Sequence, residues 1–219
     1  TIGYSLEAPG YHPKVKKIKA FYDAEMSYRT DADIWTPYVT TVLDQTIEKW
    51  TAEKKKYTTS QIDGATFIQN NCQSLSGREG LVTDLQQYFR VDSLGKCLNN
   101  KHWDSNDKLA TIGKYKFHLA WENQYSQDYV TEKVYHALLA GTIPVYLGSA
   151  NVAKFVPENS FIDIRKFSNN MSRLAGYLHY LISNSSALSK FHKWRADENL
   201  GPIGSVFQKT ADNVNSRQC

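Results

Sequence analysis

The stretch from Tyr115 to Leu147 constrains the fold of this chain more than any other segment. An apolar run at its start leads through a polar loop, 122–129, into a helical pattern over 131–140 that Gly141 closes. A second apolar run, 143–147, follows directly. Strand, loop, helix and strand in this order predict a βαβ unit with two parallel strands. Ligands of open α/β sheets bind outside the carboxyl ends of such strands, so we expect a site at this loop and helix start.

The same alternation of strands and helices continues on both sides of this unit. Further strands are predicted over 65–69, 91–94 and 160–164, and further helices over 76–89, 106–111 and 168–183. Ser76 and Glu79 have the spacing of a capping box, which would open the first of these helices. The pattern predicts an α/β fold with a doubly wound parallel sheet and flanking helices.

Three parts of the chain are distinguished by pattern. Residues 1–60 read as the end of one domain, residues 61–185 as the α/β domain, and residues 186–219 as terminal helices that cross back over the first part. The chain begins at Thr1, directly in what reads as ordered sequence, so we expect it to be part of a longer protein. No signal peptide and no apolar span long enough to cross a membrane is present in it.

Charge and cysteine content narrow the function classes. The formal net charge of +4 is too small to argue for nucleic-acid binding, although it suits an anionic ligand. The spacing of Cys72, Cys97 and Cys219 excludes a CxxC-type zinc site within the chain. A bridge between Cys72 and Cys97 and two free buried thiols both stay open. Two N-x-S sequons, at Asn170 and Asn184, favour a secretory compartment when they are taken together with the cysteines.

Two basic residues stand at predicted helix starts. Arg78 follows a strand in the first turn of a helix, where free N–H groups and an arginine together form an anion site. Lys133 lies in the first turn of the helix predicted over 131–140. A basic residue there opposes the helix dipole, so local stability does not explain its presence. The alternative for Arg78 is a surface ion pair with Glu79 or Asp84. Two βα turns that each carry a cation predict a diphosphate-bearing ligand, while the absence of GxGxxG and GxxxxGK[ST] disfavours a standard dinucleotide or P-loop site.

Several motifs resemble one family. The segments YKFHLAWEN, DYVTEK, LLAGTIPVYLGSANV and FVPENSFIDI are similar to the donor-binding signature of the α1,3-fucosyltransferases, glycosyltransferase family 10. Upstream, four more segments are similar to family motifs and follow one another in the family's order. They are 6–9 (L-E-S-P), 26–38 (M-S-Y-R-x-D-S-D-I-x-x-P-Y), 71–78 (the S-N-C region with its arginine, here Arg78) and 91–100 (D-S-Y-G-x-C). The resemblance runs from about Tyr4 to the C-terminus.

The resemblance implies a GT-B architecture, with two Rossmann-like domains that face each other across a cleft. Residues 1–60 would be the end of a partly present N-terminal acceptor domain, and 61–185 the domain that binds GDP-fucose. Arg78 and Lys133 would hold the diphosphate and stabilise the leaving GDP. No cofactor and no divalent metal is expected to be required, because two cations can replace a metal ion; the Asp31-Ala32-Asp33 spacing is a weak metal candidate.

The remaining site residues follow from the same motifs. Asn123, Tyr129 and Glu132 match positions that contact nucleotide, ribose or fucose in relatives. Glu7 matches the catalytic glutamate, and it would remove the proton from the acceptor hydroxyl during an inverting transfer. The expected reaction is transfer of L-fucose from GDP-fucose to the 3-OH of a GlcNAc in a glycan or glycoprotein. Without the resemblance, Glu7 would read as a carboxylate in a solvated turn.

Alternatives to this function remain open. The chain could be another GT-B sugar-nucleotide transferase, or a catalytically incomplete fragment that binds a nucleotide sugar. The acceptor could be a lactosamine or the innermost GlcNAc of an N-glycan. Family membership implies the Golgi lumen and a membrane anchor upstream of Thr1, with the bacterial cytoplasm as the other location.

Overall fold

The computed structural model describes residues 1–8, 22–41, 43–44, 46–53, 62–103, 105–197 and 200–215. Residues 213–215 are described by their backbone alone. The first part of the chain forms a small parallel sheet. Its strands, in the order β1-β2-β3, are Ile2–Ser5 (β1), Ala24–Ser27 (β2) and Ile34–Trp35 (β3). Two short helices follow, α1 at Tyr38–Thr41 and α2 at Ile47–Glu53.

The second sheet has five parallel strands in the order β5-β4-β6-β7-β8. The strands are Ile62–Phe67 (β4), Val91–Ser93 (β5), Tyr115–Trp121 (β6), Ile143–Leu147 (β7) and Ile162–Asp163 (β8). The helices are Arg78–Leu85 (α3), Lys108–Gly113 (α4), Glu132–Leu139 (α5), Met171–Ser183 (α6), Ser185–Ser189 (α7) and Pro202–Asn215 (α8). Short 3-10 turns occupy Val152–Lys154, Ile164–Phe167 and Lys190–Ala196. The predicted α/β fold with a parallel sheet is confirmed.

Helices cover both faces of this sheet. Leu85 of α3 and Leu178 of α6 pack on one face with Phe117 and other alternate residues of the strands. Leu138 of α5 packs on the opposite face with Ala120. The predicted apolar stripe of α6 is fully buried, at Met171, Leu174, Leu178 and Leu181. Alternate residues of β6 therefore serve two different cores, as a doubly wound sheet requires.

The first part of the chain packs directly against the five-stranded sheet's helices. Trp50 of α2 is fully buried, and its ring contacts those of Tyr135 on α5, Trp194 and Phe207 on α8. One apolar cluster thus joins residues from both ends of the chain. The division into domains at residues 60 and 185 stays a prediction, and the first of these boundaries falls among residues 54–61, outside the described part.

The capping-box prediction at the start of α3 is wrong. Ser76 does not cap the helix: Gly77 precedes it with a left-handed φ of 65° and no side-chain cap. Ser76 Oγ instead donates to the carbonyl of Glu122, at 2.8 Å. The carboxylate of Glu79 accepts from the backbone N and the hydroxyl of Ser74, at 3.1 and 2.6 Å. The helix also ends at Leu85, earlier than the predicted end at residue 89.

Cys72 and Cys97 form a disulfide, with a Cα–Cα distance of 5.3 Å. It joins the loop after β4 to the segment after β5, which settles the alternative in favour of a bridge between neighbouring strand ends. Cys219 lies outside the described residues.

We expect the double variant Cys72→Ser/Cys97→Ser to lose roughly 2–4 kcal/mol of unfolding free energy, since the bridge closes a loop across a sequence separation of 25. Urea unfolding of the oxidised wild type and the variant measures the difference. Reduced wild type is the matched control, and it should unfold at the same urea concentration as the double variant. Equal stability of all three proteins would contradict the prediction.

Candidate active site

The chain changes direction between β4 and β6. From β4 it moves outward to β5, whereas from β6 it moves the other way to β7 and β8. The carboxyl ends of β4 and β6 lie side by side, and the segments that follow them leave on opposite faces of the sheet, toward α3 and α5. This is the topological switch point, where open α/β sheets form a crevice for ligands. Arg78 follows β4 and Lys133 follows β6, so the two predicted cations flank this crevice.

Arg78 is the first residue of α3 and is only 3% exposed. Its Nη1 donates to the carbonyl oxygen of Trp121, the last residue of β6. A surface ion pair with Glu79 or Asp84 does not describe a side chain that is buried in this way. The backbone carbonyl of Asn123 accepts from the N–H of Ser76 at 3.0 Å, so the loop ahead of α3 is fastened to the loop after β6.

Lys133 contacts a carboxylate that the sequence reasoning did not single out. Its Nζ lies 2.9 Å from Oε2 of Glu122 and 2.7 Å from the hydroxyl of Thr131, which caps the start of α5. Glu122 is 0% exposed, and it also accepts from the N–H of Thr131 at 2.8 Å. Thr131 Oγ donates to Glu122 and accepts no hydrogen bond from the N–H groups at the helix start. The fully buried Glu122 therefore anchors both Lys133 and the start of α5 through hydrogen bonds.

The ammonium and carboxylates at the start of α5 perturb one another. Burial alone would lower the pKa of Lys133, but the negative charges of Glu122 and Glu132 raise it. Burial would raise the pKa of Glu132, but Lys133 and then Lys108 lower it to about 2. Glu122 differs, because burial raises its pKa in spite of Lys133. Arg78 acts on Lys133 with the opposite sign to the carboxylates, which places both cations in one electrostatic site.

A tyrosine cluster connects this site to the first part of the chain. Tyr129 is buried, and its ring meets those of Tyr28 and Tyr38 at centroid distances of 5.1 and 5.8 Å. Tyr38 Oη donates to the carbonyl of Leu6 at 2.5 Å. Burial raises the pKa of Tyr129, and the neighbouring charges of Glu122 and Glu7 raise it further.

Glu7 is exposed beside this cluster. Its negative charge acts on the pKa of both Tyr38 and Tyr129, where Glu122 also acts. The structure therefore brings Glu7 from after β1 to the same edge as the residues that follow β4 and β6. The predicted site residues differ in exposure: Glu7 is exposed, Arg78 and Tyr129 are buried, and the rest are half-buried, namely Asn123, Glu132 and Lys133.

A second polar connection joins the two sheets next to Tyr129. Asp128 has a left-handed φ of 62°, and its carboxylate accepts from the N–H and the hydroxyl of Thr30 at 3.0 and 2.8 Å. Asn151 Nδ2 donates to the same carboxylate at 2.6 Å. These bonds hold the loop that carries Tyr129 against the segment after β2. No pattern in the chain's periodicity pointed to this contact, because its partners are separated by 98 residues.

A cavity of about 570 Å³ lies beside the loop after β6 and the end of β7. Tyr125, Gln127, Gly148, Lys154 and Arg165 are among its lining residues. Aromatic, amide and basic groups in this mixture can contact sugar hydroxyls and anions.

Gly148 is the position at which this cavity meets the buried carboxylate. A Cβ there would lie 2.6 Å from Cγ of Glu122 and would also collide with the phenol of Tyr146. We expect Gly148→Ala to cost roughly 1–3 kcal/mol of unfolding free energy, because Glu122 and Tyr146 are both buried and cannot move aside freely. Thermal and urea unfolding measure the loss.

The matched control for that variant is Gly176→Ala on α6, where an added Cβ meets no atom within 4 Å. It should be neutral or stabilising by up to about 1 kcal/mol, since alanine favours a helix interior. Equal effects of the two substitutions would contradict the argument.

The aspartates proposed as a weak metal candidate are engaged otherwise. Asp31 pairs with Arg29 at 2.5 Å, and Asp33 accepts from the backbone N–H of Glu25 at 2.8 Å. Within the described ranges, no group of three or more His, Cys, Asp or Glu side chains is arranged to hold a metal ion. Across the same residues, no helix is both long enough and apolar enough to span a bilayer.

The chain is similar to known proteins over most of its length. The family model described as glycosyltransferase family 10 (fucosyltransferase) C-term matches residues 53–219. GDP-fucose protein O-fucosyltransferase 3 of Xenopus laevis is 34% identical over 159 residues, which are 68% of this chain and 34% of the relative. 4-galactosyl-N-acetylglucosaminide 3-alpha-L-fucosyltransferase 9 of Mus musculus is 30% identical over 199 residues, 90% of this chain and 53% of the relative. The chain thus spans between a third and about half of these relatives.

Solved structures share the fold. A crystal structure of an alpha1,3-fucosyltransferase with GDP-fucose superposes with a TM-score of 0.70 at 18% identity, covering 98% of this chain and 73% of that one. A second, with GDP, has a TM-score of 0.58 at 23% identity, covering 82% and 51%. The architecture is therefore GT-B-like, as the motifs implied.

Proposed function

The chain belongs to glycosyltransferase family 10, the fucosyltransferases, and from this membership we propose that its protein transfers L-fucose from GDP-fucose to a hydroxyl group with inversion at the anomeric carbon. The observation that carries the proposal is the pair of cations at the switch point. Arg78 and Lys133 lie at helix starts that follow neighbouring parallel strands, and the charge of Arg78 acts to lower the pKa of Lys133. A diphosphate bound there would meet both.

The cations supply the electrostatic part of catalysis. As the bond between fucose and GDP breaks, negative charge grows on the diphosphate, and a fixed guanidinium and ammonium stabilise it without reorganisation of solvent. Arg78 is held by the carbonyl of Trp121 and Lys133 by Glu122, so both are oriented before the donor arrives. Two fixed cations supply the charge that a divalent ion supplies elsewhere. We therefore propose that transfer needs no metal, which retention of activity in EDTA would test.

Glu7 is proposed as the base that takes the proton of the attacking hydroxyl. Its carboxylate is exposed to an incoming acceptor, yet it lies close enough to Tyr38 and Tyr129 to act on their phenols. A single displacement requires the base and the leaving group on opposite sides of the sugar. Glu7 arrives from the first sheet and the cations from the second, which suits this arrangement.

The other predicted residues are assigned to the donor. Glu132 is kept ionised by Lys133 and Lys108, which lower its pKa to about 2, so it can accept hydroxyl hydrogen bonds or face positive charge on the fucose ring. Tyr129 is assigned a contact to nucleotide, ribose or fucose, and its ring packs against those of Tyr28 and Tyr38. Asn123 is assigned a contact to nucleotide or sugar from the loop after β6.

Two classes of acceptor hydroxyl are proposed, one in a glycan and one in a protein. The α1,3 linkage to the 3-OH of a GlcNAc is our first proposal, in line with the names of relatives matched over 90% of the chain. A relative named as a protein O-fucosyltransferase matches over 68% of the chain, which supports a protein hydroxyl as the second candidate. A lactosamine and an N-glycan core remain the two glycan acceptors. A related GT-B transferase with another nucleotide sugar, or a fragment that only binds the donor, are the competing functions.

One assay separates these functions. The chain, in its full-length protein, is incubated with GDP-fucose and a panel of lactosamine, core N-glycan and folded protein acceptors, and the product linkage is determined by NMR. Transfer to one class of acceptor identifies that class as the substrate. Thermal stabilisation by UDP but not GDP would overturn the donor assignment, and GDP binding with no transfer to any acceptor would leave only the binding fragment.

The disulfide and the two sequons support a secretory location for this protein. We propose the Golgi lumen as its location, with a membrane anchor outside this chain. Fractionation of cells and protease protection of the endogenous protein test this placement.

A further inference from the structure

Glu122 is a buried carboxylate with only one close cation among the described residues. It receives hydrogen bonds from the N–H and hydroxyl of Thr131 and from the ammonium of Lys133, and it makes no contact with solvent. A buried carboxylate stays ionised only while such partners compensate for the lost hydration. The ionised state of Glu122 therefore depends on Lys133.

The donor would compete for this cation. In the proposed function, Lys133 binds the diphosphate, and its side chain is 19% exposed. A bound diphosphate shares the ammonium with Glu122 and adds negative charge nearby. Both effects make an ionised Glu122 less favourable, and neither can be relieved by water because the carboxylate is fully buried.

Among the residues that the structure describes, Lys133 is the one cation in ion-pair contact with Glu122. The side chains that interact with it electrostatically are Lys133, Glu132 and Tyr135 on α5, Tyr146 on β7, and Tyr38 and Tyr129 in the tyrosine cluster. Arg78, the other cation of the crevice, acts on Lys133 and would itself be engaged by the diphosphate. The tyrosines are neutral, since burial raises the pKa of Tyr135 and Tyr146 well above the ordinary value.

We propose that Glu122 is a positioning residue that holds Lys133 in the empty site and takes up one proton when the diphosphate of the donor engages Lys133. The inference rests on the proposed function. The proton comes from solvent, converts the carboxylate to a carboxylic acid and returns to solvent when GDP leaves. Thr131 Oγ bonds to both Lys133 Nζ and Glu122, at 2.7 and 2.8 Å, so a relay from the partly exposed ammonium to the buried carboxylate is in place.

Calorimetry with GDP measures this proton directly. The binding enthalpy is determined at about pH 7.5 in buffers of different ionisation enthalpy, where the terminal phosphate of GDP is mostly ionised. The slope against buffer enthalpy should approach one proton taken up per GDP in the wild type and fall to near zero in Glu122→Gln. GDP affinity of the wild type should weaken as pH rises, by up to about tenfold per pH unit, because binding is linked to proton uptake.

Glu158→Gln is the control, since it removes an exposed carboxylate in the connection between β7 and β8. It should keep the uptake that Glu122→Gln loses. If Glu122→Gln does not fold, infrared difference spectra of the wild type on GDP binding decide, because a new carboxylic acid C=O band is expected. GDP binding without proton uptake, or with uptake unchanged in Glu122→Gln, overturns the inference. Absence of GDP binding by the wild type would instead overturn the proposed function.

Discussion

Glu7→Gln should lower the turnover of fucose transfer by about 10²–10⁴-fold while GDP binds with nearly unchanged affinity. The amide keeps the size of the carboxylate but cannot accept a proton from the acceptor hydroxyl. Because Glu7 is exposed, the substitution should leave folding intact. Initial rates with GDP-fucose and calorimetry with GDP measure the two quantities.

Glu158→Gln serves as the control for a lost surface carboxylate, since Glu158 is exposed in the connection between β7 and β8. It should retain wild-type turnover. Near-normal transfer by Glu7→Gln would remove Glu7 from the role of base. A parallel loss of GDP affinity would assign it to donor binding instead.

Lys133→Met should weaken GDP binding by about 10- to 100-fold, because a hydrogen bond to a charged group contributes roughly 1.5–3 kcal/mol. Methionine retains much of the length and apolar stem of lysine but supplies no charge. The same variant should lose roughly 3 kcal/mol of unfolding free energy, since the buried Glu122 loses its cation. Calorimetry and urea unfolding measure these effects separately.

The double variant Lys133→Met/Glu122→Gln distinguishes binding from stability. Removal of both partners of a buried ion pair is often nearly neutral, so most of the lost stability should return, whereas GDP binding should stay weak. Arg78→Lys should also weaken GDP binding, since an ammonium cannot donate two parallel hydrogen bonds as a guanidinium does. Lys166→Met, on an exposed residue after β8, is the control and should bind GDP normally. Unchanged affinity in both cation variants would refute the diphosphate site.

Local pattern was sufficient for the central βαβ unit. The apolar runs at 115–121 and 143–147 became strands with those limits, and the helix between them begins after Thr131 and ends before Gly141, whose φ is 73°. These features could be predicted because they depend on side-chain period and on residues that start or stop a helix. Arg78 was also placed correctly as a helix-start residue.

Glu122 was missed because its role depends on burial. In the sequence it is one polar residue at the start of a loop, indistinguishable from its neighbours. Its signals were its position, directly after a buried strand and eleven residues before Lys133, and its place in the YKFHLAWEN motif. The capping box failed for a similar reason: Ser76 finds a partner in the carbonyl of Glu122, 46 residues away, so Ser74 takes its place beside Glu79.

The sequence alone determined the order of strands and helices, the two cations at helix starts and, through its motifs, the family. These depend on neighbours along the chain. Only the tertiary structure decided that Lys133 is held by a carboxylate with no exposed surface, that Tyr129 packs between Tyr28 and Tyr38, and that Glu7 shares an edge with residues from the second sheet. Burial and charge pairing arise between segments far apart in sequence, so they exist only once the two sheets are packed together.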